Sequence, residues 1–521
     1  MAEQLRAAGK LHTLIKIDEG ASLGAARIRI RSLLAAVQER RQAAAKNRTK
    51  DRPGDRGSGP RIPPSSSSRK PVFTRAMRRT HTILAPQMAP LHFEIMEKAV
   101  NSVGYRLKLL PEVNREDIET GLNLVHNDAC YPALVVIGQL VRALKSGDCD
   151  PGHASLLLAQ TCGPCRATNY PALLRKALCE AGFSEVPILT LSGGALENQP
   201  GFGVTRELLH RMILGSLYGD MLQRVSLACR SHERYAGDTD DLLSYWMNRA
   251  KFTAARGDTG VFRDHMREIV RDFSALRRDF SPKPKVGIVG EILLKYHPDA
   301  NNHVTELIRR EGGEPVLTDL TDFFLYCLVD PLYRWRNLGG SAASALGNWA
   351  VIQWIEHLRN AMRKALAGSR FMPVSRIREL MQGVSGVISL GNQAGEGWLL
   401  TAEMLELIDH GAANVLCLQP FGCLPNHITG KGVIKELKRL RPQANLMAVD
   451  YDPGSSEANQ INRIKLFMTV AHARLAELGE DPDVAQAPPA PSVADIAGRL
   501  KDNLADTLAD TAGIGKEPNL V

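Results

Sequence analysis

Two cysteines in Gln160-Thr161-Cys162-Gly163-Pro164-Cys165-Arg166 are the residues of this chain best placed for chemistry. Thiols at that spacing share one tight turn and can hold a metal ion, an iron–sulfur cluster or a disulfide. The turn leaves an apolar run, Leu156-Leu157-Leu158-Ala159, and enters a helical pattern opened by Thr168, Asn169 and Pro171. A second loop of similar design, Gln419-Pro420-Phe421-Gly422-Cys423-Leu424-Pro425-Asn426-His427, follows another apolar run. Cys130, in Asn127-Asp128-Ala129-Cys130-Tyr131-Pro132, again stands just before a helical pattern. Helix N-termini carry partial positive charge, which suits thiolates and anionic clusters.

Several chemistries stay open on these residues. A zinc site calls for a second Cys or His pair at short spacing, and none exists, so four ligands would have to include Cys130 and Cys423 from afar. Cys-Gly-Pro-Cys is also the thioredoxin-like tetrapeptide of dithiol–disulfide exchange, although Ala159-Gln160-Thr161 lacks the usual aromatic neighbour. Cys417 reads as a core residue of a strand, and Cys149, Cys179, Cys229 and Cys327 as core or surface thiols. Glu291, Glu396 and His427 are candidate acid/base groups or substrate contacts, against the plainer roles of helix capping and a loop histidine. The glycines flanking Glu396 permit close backbone approach. Neither a Walker A motif nor a Gly-x-Gly-x-x-Gly fingerprint appears, so a bound ATP or dinucleotide has no support.

The elements that must position these residues read as α/β. Strand-like runs fall at Thr82–Leu84, Tyr105–Leu110, Leu156–Leu158, Val186–Leu191, Lys285–Gly290, Pro315–Leu317, Gly386–Leu390, Asn414–Leu418 and Leu446–Asp450. Helical patterns lie between them, at about 91–102, 132–145 and 171–181 in one region and 301–311, 345–366, 400–409, 431–440 and 457–478 in another. That alternation predicts Rossmann-like parallel-sheet domains, with a helical insert at 201–282, and is compatible with two similar halves. In such sheets ligands bind at the carboxyl ends of strands, where the cysteines fall. The expected division is 1–42, an N-terminal segment; 43–80, a basic disordered linker; 81–200, an α/β domain; 201–282, helical; 283–480, a second α/β domain; and 481–521, a Pro/Ala-rich tail.

Composition sets bounds on function. The chain of 521 residues is 44% hydrophobic and 23% charged, enough for two or three domains. Its net charge of +9 is concentrated in residues 27–80, where sixteen Lys/Arg face three acids, so the rest of the chain is mildly acidic. Basic residues without interleaved aromatics attract phosphate only, which argues against nucleic-acid binding and makes a solvated tether the simpler expectation. No apolar run reaches the roughly 18–20 residues that span a bilayer. Glu3, Asp18 and Glu19 interrupt any leader pattern, and nine cysteines without one predict a reducing cytoplasm.

At these motifs the sequence resembles the 2-hydroxyacyl-CoA dehydratase superfamily, and in particular the dehydratase-like region of the acyl-CoA dehydratase activase-related proteins. The resemblance is carried by Asn127 to Pro132, by Gln160 to Tyr170 with Leu173-Leu174-Arg175-Lys176-Ala177-Leu178, by Gly395-Glu396-Gly397-Trp398, by Gln419 to His427 and by Asp450-Tyr451-Asp452-Pro453-Gly454. It extends to Lys16-Ile17-Asp18-Glu19 and Ala26 to Ser32, and covers most of 10–40 and 80–478. It implies an iron–sulfur protein of anaerobic metabolism whose [4Fe–4S] or double-cubane cluster is held by cysteines between domains. A separate ATP-dependent activase would feed it electrons, and the substrate would be an acyl-CoA or another small molecule. Cys130, Cys165 and Cys423 match the cysteine-bearing loops of that family, with Cys162 as the added member of the pair, where many relatives have Gly. The nucleotide-binding activase half of the long relatives is absent, so a partner protein is expected, in a homo- or hetero-oligomer. A dithiol oxidoreductase and a non-catalytic regulatory subunit remain the alternatives.

Overall fold

The computed structural model describes residues 70–478 apart from 126–128, 148, 162–164, 193–198 and 456, together with six helical residues between Ile30 and Gln38. Cys162, the Asn127-Asp128 part of the Cys130 motif, most of segments 1–42 and 43–80, and the tail 481–521 lie outside the described residues.

Two four-stranded parallel sheets form the frame. In the first, β1 (Thr82–Ala85), β2 (Leu107–Leu109), β3 (Ala154–Gln160) and β4 (Ile188–Ser192) stand in the order β2-β1-β3-β4. In the second, β5 (Lys285–Gly290), β6 (Glu314–Leu317), β7 (Asn414–Pro420) and β8 (Asn445–Tyr451) repeat that order as β6-β5-β7-β8. The two halves expected from the sequence therefore share one topology. In both, the order reverses between the first and third strands, and the crevice at their carboxyl ends is where such sheets take ligands.

Helices cover the sheets. The first half carries α1 (Pro90–Asn101), α2 (Arg115–Leu124), α3 (Tyr131–Lys145) and α4 (Tyr170–Ala181). Three long helices follow, α5 (Arg206–His232), α6 (Asp238–Arg256) and α7 (Thr259–Ala275), as the absence of strand signals there implied. The second half adds α8 (Ile292–Tyr296), α9 (Val304–Arg310), α10 (Leu320–Asn337), α11 (Ala342–Leu366), α12 (Ile377–Val384), α13 (Gly397–Asp409), α14 (Leu424–Thr429), α15 (Ile434–Leu440) and α16 (Glu457–Leu478). Among the described residues no helix is long and apolar enough to cross a membrane.

The helical insert is not a separate layer. Trp246, Phe262 and Phe273 from α6 and α7 share one core with Tyr326, Ile355, Met362 and Trp398 from α10, α11 and α13. A second core joins the sheet halves, packing Ala89, Val113, Tyr131 and Val135 of the first against Val286, Ile288, Leu416 and Val449 of the second. Charge is buried in the helical layer too. Arg359, fully buried, bonds Asp319 at 2.7 Å and Asp322 at 2.5 Å, and Arg224 pairs with Asp319 as well. Burial works against the Asp319 charge, yet the two guanidiniums hold its pKa down at about 2.

Two expectations are corrected. Gly386–Leu390 is not a strand: Val387 and Ile388 N–H both donate to Val384 O, closing the end of α12, and Ile388 and Leu390 pack on the helical core. Its apolar run fits a buried turn as well as a strand, and glycines at 386 and 391 favour the turn. Residues 70–80, expected within the basic disordered linker 43–80, are the second. From Lys70 the chain is placed, with Phe73 fully buried and its N–H bonded to Gln199 Oε1 at 2.7 Å. One aromatic side chain in a core offsets the ordering entropy that charge and proline suggested would win.

Removing Arg359 leaves Asp322 without its guanidinium in a dry site. Arg359→Leu is expected to cost about 3–5 kcal/mol in urea denaturation, whereas Arg115→Ala, whose partner Glu119 is solvent-exposed, should cost less than about 1 kcal/mol.

Candidate functional site

Each of the three described motif cysteines occupies the same local position, the residue just before a helical turn. Cys130 precedes α3, Cys165 precedes a 3-10 turn (Arg166–Asn169) leading into α4, and Cys423 precedes α14. All three have extended backbone (φ −71°, −81° and −75°), and none spends its sulfur on a capping bond. Proline in the first turn of α3, α4 and α14 fixes where each helix starts, because its missing N–H is harmless there. The first-turn amides thus stay oriented toward the space that the sulfurs line.

That space lies between the carboxyl ends of the two sheets. Cys165 feels the charges of Glu396 and Glu291, Cys423 feels both as well, and Cys130 feels Glu291 and Cys165. A Cβ added at Gly395 would lie 3.0 Å from Pro425 and 3.9 Å from Cys165 Sγ, so the loops of β3, α13 and β7 meet there. Gly395 and Gly397 have φ of +59° and +47°, and a Cβ at Gly397 would strike Asn392 O at 2.1 Å and Tyr326 Oη at 2.3 Å. The close approach these glycines permit is to the protein itself.

Two carboxyls, Glu396 buried and Glu291 half-buried, hold the loops together. Glu291 caps α8, accepting from Leu294 N–H at 3.0 Å. Glu396 accepts from Ile292 N–H at 3.1 Å on one oxygen and from Asn426 Nδ2 at 2.9 Å on the other. Asn426 Nδ2 also lies 3.2 Å from Cys423 Sγ. Burial, then the Glu396 charge, pushes the Glu291 pKa up to about 8, and burial raises Glu396 too, so the pair retains a proton at neutral pH. The capping reading of these residues is seen directly, since both carboxyls accept from the first-turn amides of α8.

The thiols are also held in their protonated form. Burial raises Cys130 to about 11 although Cys130 Sγ and Tyr170 Oη are hydrogen-bonded at 2.7 Å. Burial likewise raises Cys165 and Cys423, and the Glu396 charge adds to both. The helix N-termini therefore do not lower these pKa values as the sequence suggested, because desolvation and neighbouring carboxylates outweigh them. Such thiols are poor nucleophiles, and only a strong local positive charge would ionise them.

His427 stands apart, partly exposed one turn beyond Cys423; among the described residues no hydrogen bond joins its ring to a thiol or carboxyl. Cys417 and Cys229 are buried, Cys149 is partly buried, and Cys179 and Cys327 are exposed. Tyr170 and Asn426 were given no role by the sequence, because their partners Cys130 and Glu396 come from other loops. Among the described residues no group of three or more His, Cys, Asp or Glu side chains is already closed around a metal position. The donor set is nonetheless suited to iron–sulfur chemistry: three soft thiols from three loops, first-turn amides and a protonated carboxyl that adds no negative charge. No family model and no curated protein matches the chain.

The proton shared by the carboxyl pair has a stability signature. The folded pKa of Glu291, about 8, lies above its ordinary value of 4.5. The folded state therefore binds the extra proton between those values. The contribution is full below about pH 4.5 and is lost as pH rises through 8. Glu291→Gln should flatten the unfolding free energy across about pH 5–8.5, where the wild type loses on the order of a few kcal/mol more. Parallel slopes in denaturant titrations of the two proteins would contradict the shared proton.

Proposed function

We propose that the chain is an iron–sulfur redox component related to the 2-hydroxyacyl-CoA dehydratases. Cys130, Cys165 and Cys423 would hold the cluster, with Cys162 completing the set. When bound, such a cluster supplies one-electron transfer at low potential. The observation that carries the reading is the approach of one buried and two half-buried protonated thiols, from loops far apart in sequence, to one seam between two sheets of identical strand order.

The remaining roles follow from the chain's own groups. Cys130 is buried and Cys165 and Cys423 are half-buried, and Tyr170 and Asn426 fix two of the sulfurs by hydrogen bonds. The Glu291–Glu396 pair keeps a proton beside them, available to a substrate group that gains negative charge. Electrons would come from a separate ATP-dependent activase, and the substrate would be an acyl-CoA or another small molecule, on the motif resemblance alone. Dithiol exchange by Cys162 and Cys165 is the second reading, in which the first thiol of the pair would attack and Cys165 would resolve the mixed disulfide.

In anaerobically isolated protein, Cys165→Ser is expected to lose most of its iron and acid-labile sulfide, while Cys229→Ser keeps both. Cys229 is buried in the helical core, so the comparison separates ligand loss from general thiol loss. Equal retention in the two variants would end the assignment; a colourless wild type whose thiols cycle with dithiothreitol would favour the dithiol reading.

A further inference from the structure

The hairpin of α10 and α11 ends in a tip that the other described residues leave uncovered. Nearly every residue from Arg334 to Ala350 is exposed, and four large apolar side chains are among them: Trp335 is 47% exposed, Leu338 69%, Leu346 67% and Trp349 50%. No residue from Asn337 to Ile355 carries a charge. Within that run α11 has two apolar faces. Ala345, Ile352 and Ile355 are buried, whereas Ala342, Leu346, Trp349 and Gln353, spaced four, three and four residues apart, lie on another side of the helix and are exposed. One apolar stripe seats a surface helix on its core; a helix apolar on a second side is one that something else covers.

We infer that this tip is a self-association surface, on which a second copy of the chain packs its own α10–α11 tip about a two-fold axis. Area and charge both select a second copy. The exposed parts of the four large side chains amount to on the order of 500 Å2 per copy, so two tips would bury roughly 1,000 Å2, the least that a specific interface needs. Exposed Ala342, Ala343 and Ala350 extend the patch. In a two-fold contact each patch meets itself, so a charge inside it would face its like. The run from Asn337 to Ile355 has none, and of the two arginines at its border Arg334 is already paired with Asp330 at 2.8 Å. A surface for an unlike protein or an anionic lipid headgroup gains from charge of one sign within the patch, and this patch offers none. The spacing of the outer α11 stripe is that of helices packed side by side, so two hairpins would make a short four-helix contact.

Self-association would reach the cysteine seam through α10. A Cβ at Gly391 would lie 2.6 Å from Tyr333 Oη, and one at Gly397 2.3 Å from Tyr326 Oη, so the loop that carries Glu396 leans on this helix. Pairing of the tips would hold α10 still beneath that loop. The surface itself stands on residues outside the seam and does not depend on what the cysteines bind.

Sedimentation equilibrium of the full chain, between about 1 and 100 μM, tests the inference. The wild type is expected to show twice the mass of one chain. Leu346→Glu and Trp349→Glu each place two like charges in the paired tips and should weaken the dimer by at least about a hundredfold. Leu338→Ser, outside both helices, should weaken it as well without touching helix packing. Far-ultraviolet circular dichroism and the thermal midpoint should match the wild type in all three, because the side chains are exposed. Leu466→Glu, at a site on α16 that is also 69% exposed, should leave the dimer intact. A wild type that stays monomeric at the highest concentration would overturn the inference, and its transfer onto phosphatidylcholine–phosphatidylglycerol vesicles would assign the tip to a lipid surface instead. A dimer indifferent to Leu346→Glu, Trp349→Glu and Leu338→Ser would overturn it too.

Discussion

The carboxyl group of Glu396 ties together loops that are distant in sequence. One oxygen takes the Ile292 N–H at the start of α8, the other takes Asn426 Nδ2 from α14, and Asn426 in turn reaches Cys423. Neighbouring Gly395 brings the same loop against Pro425 and within reach of Cys165. A carboxyl this deeply buried is tolerated because its oxygens are hydrogen-bonded and because a proton is shared with Glu291. Charge both fully, and the seam would carry two adjacent anions in a dry site.

The repeated strand order explains why residues so far apart converge. Cys165 and Cys423 stand at equivalent places in the two halves, after the third strand of each sheet. Cys130 and Glu396 are equivalent as well, each just before the helix that leads into that strand. The second half thus carries a carboxyl where the first carries a thiol. With the switch points of both sheets facing one seam, four positions of a doubled α/β plan become neighbours, and the shared core of Tyr131, Val135, Ile288 and Leu416 keeps the halves in register.

Much of this frame was legible in the chain. Val286, Ile288 and Val289 announce β5, and the cysteine loops announce their own helix starts through the prolines of Tyr131-Pro132, Tyr170-Pro171 and Leu424-Pro425. The α10 helix was not read, because Pro331 inside it looks like a stop and Asp319 to Phe323 lack a clear period. Gly386–Leu390 misled in the opposite sense, its apolar run fitting a core-facing turn. The thiol environment was the deeper miss. A helix N-terminus is visible locally, whereas burial of the thiols and the nearby charges of Glu291 and Glu396 depend on how the halves pack, which no local pattern records.

The central claim is that thiols from three distant loops grip one inorganic centre. Iron, acid-labile sulfide and dithionite-reduced EPR, measured on a single anaerobically purified sample of the wild-type chain, test it most directly. The account predicts a brown protein with roughly four or more irons and matching sulfide per chain and a reduced-cluster EPR signal. A colourless, iron-free and EPR-silent protein would contradict it.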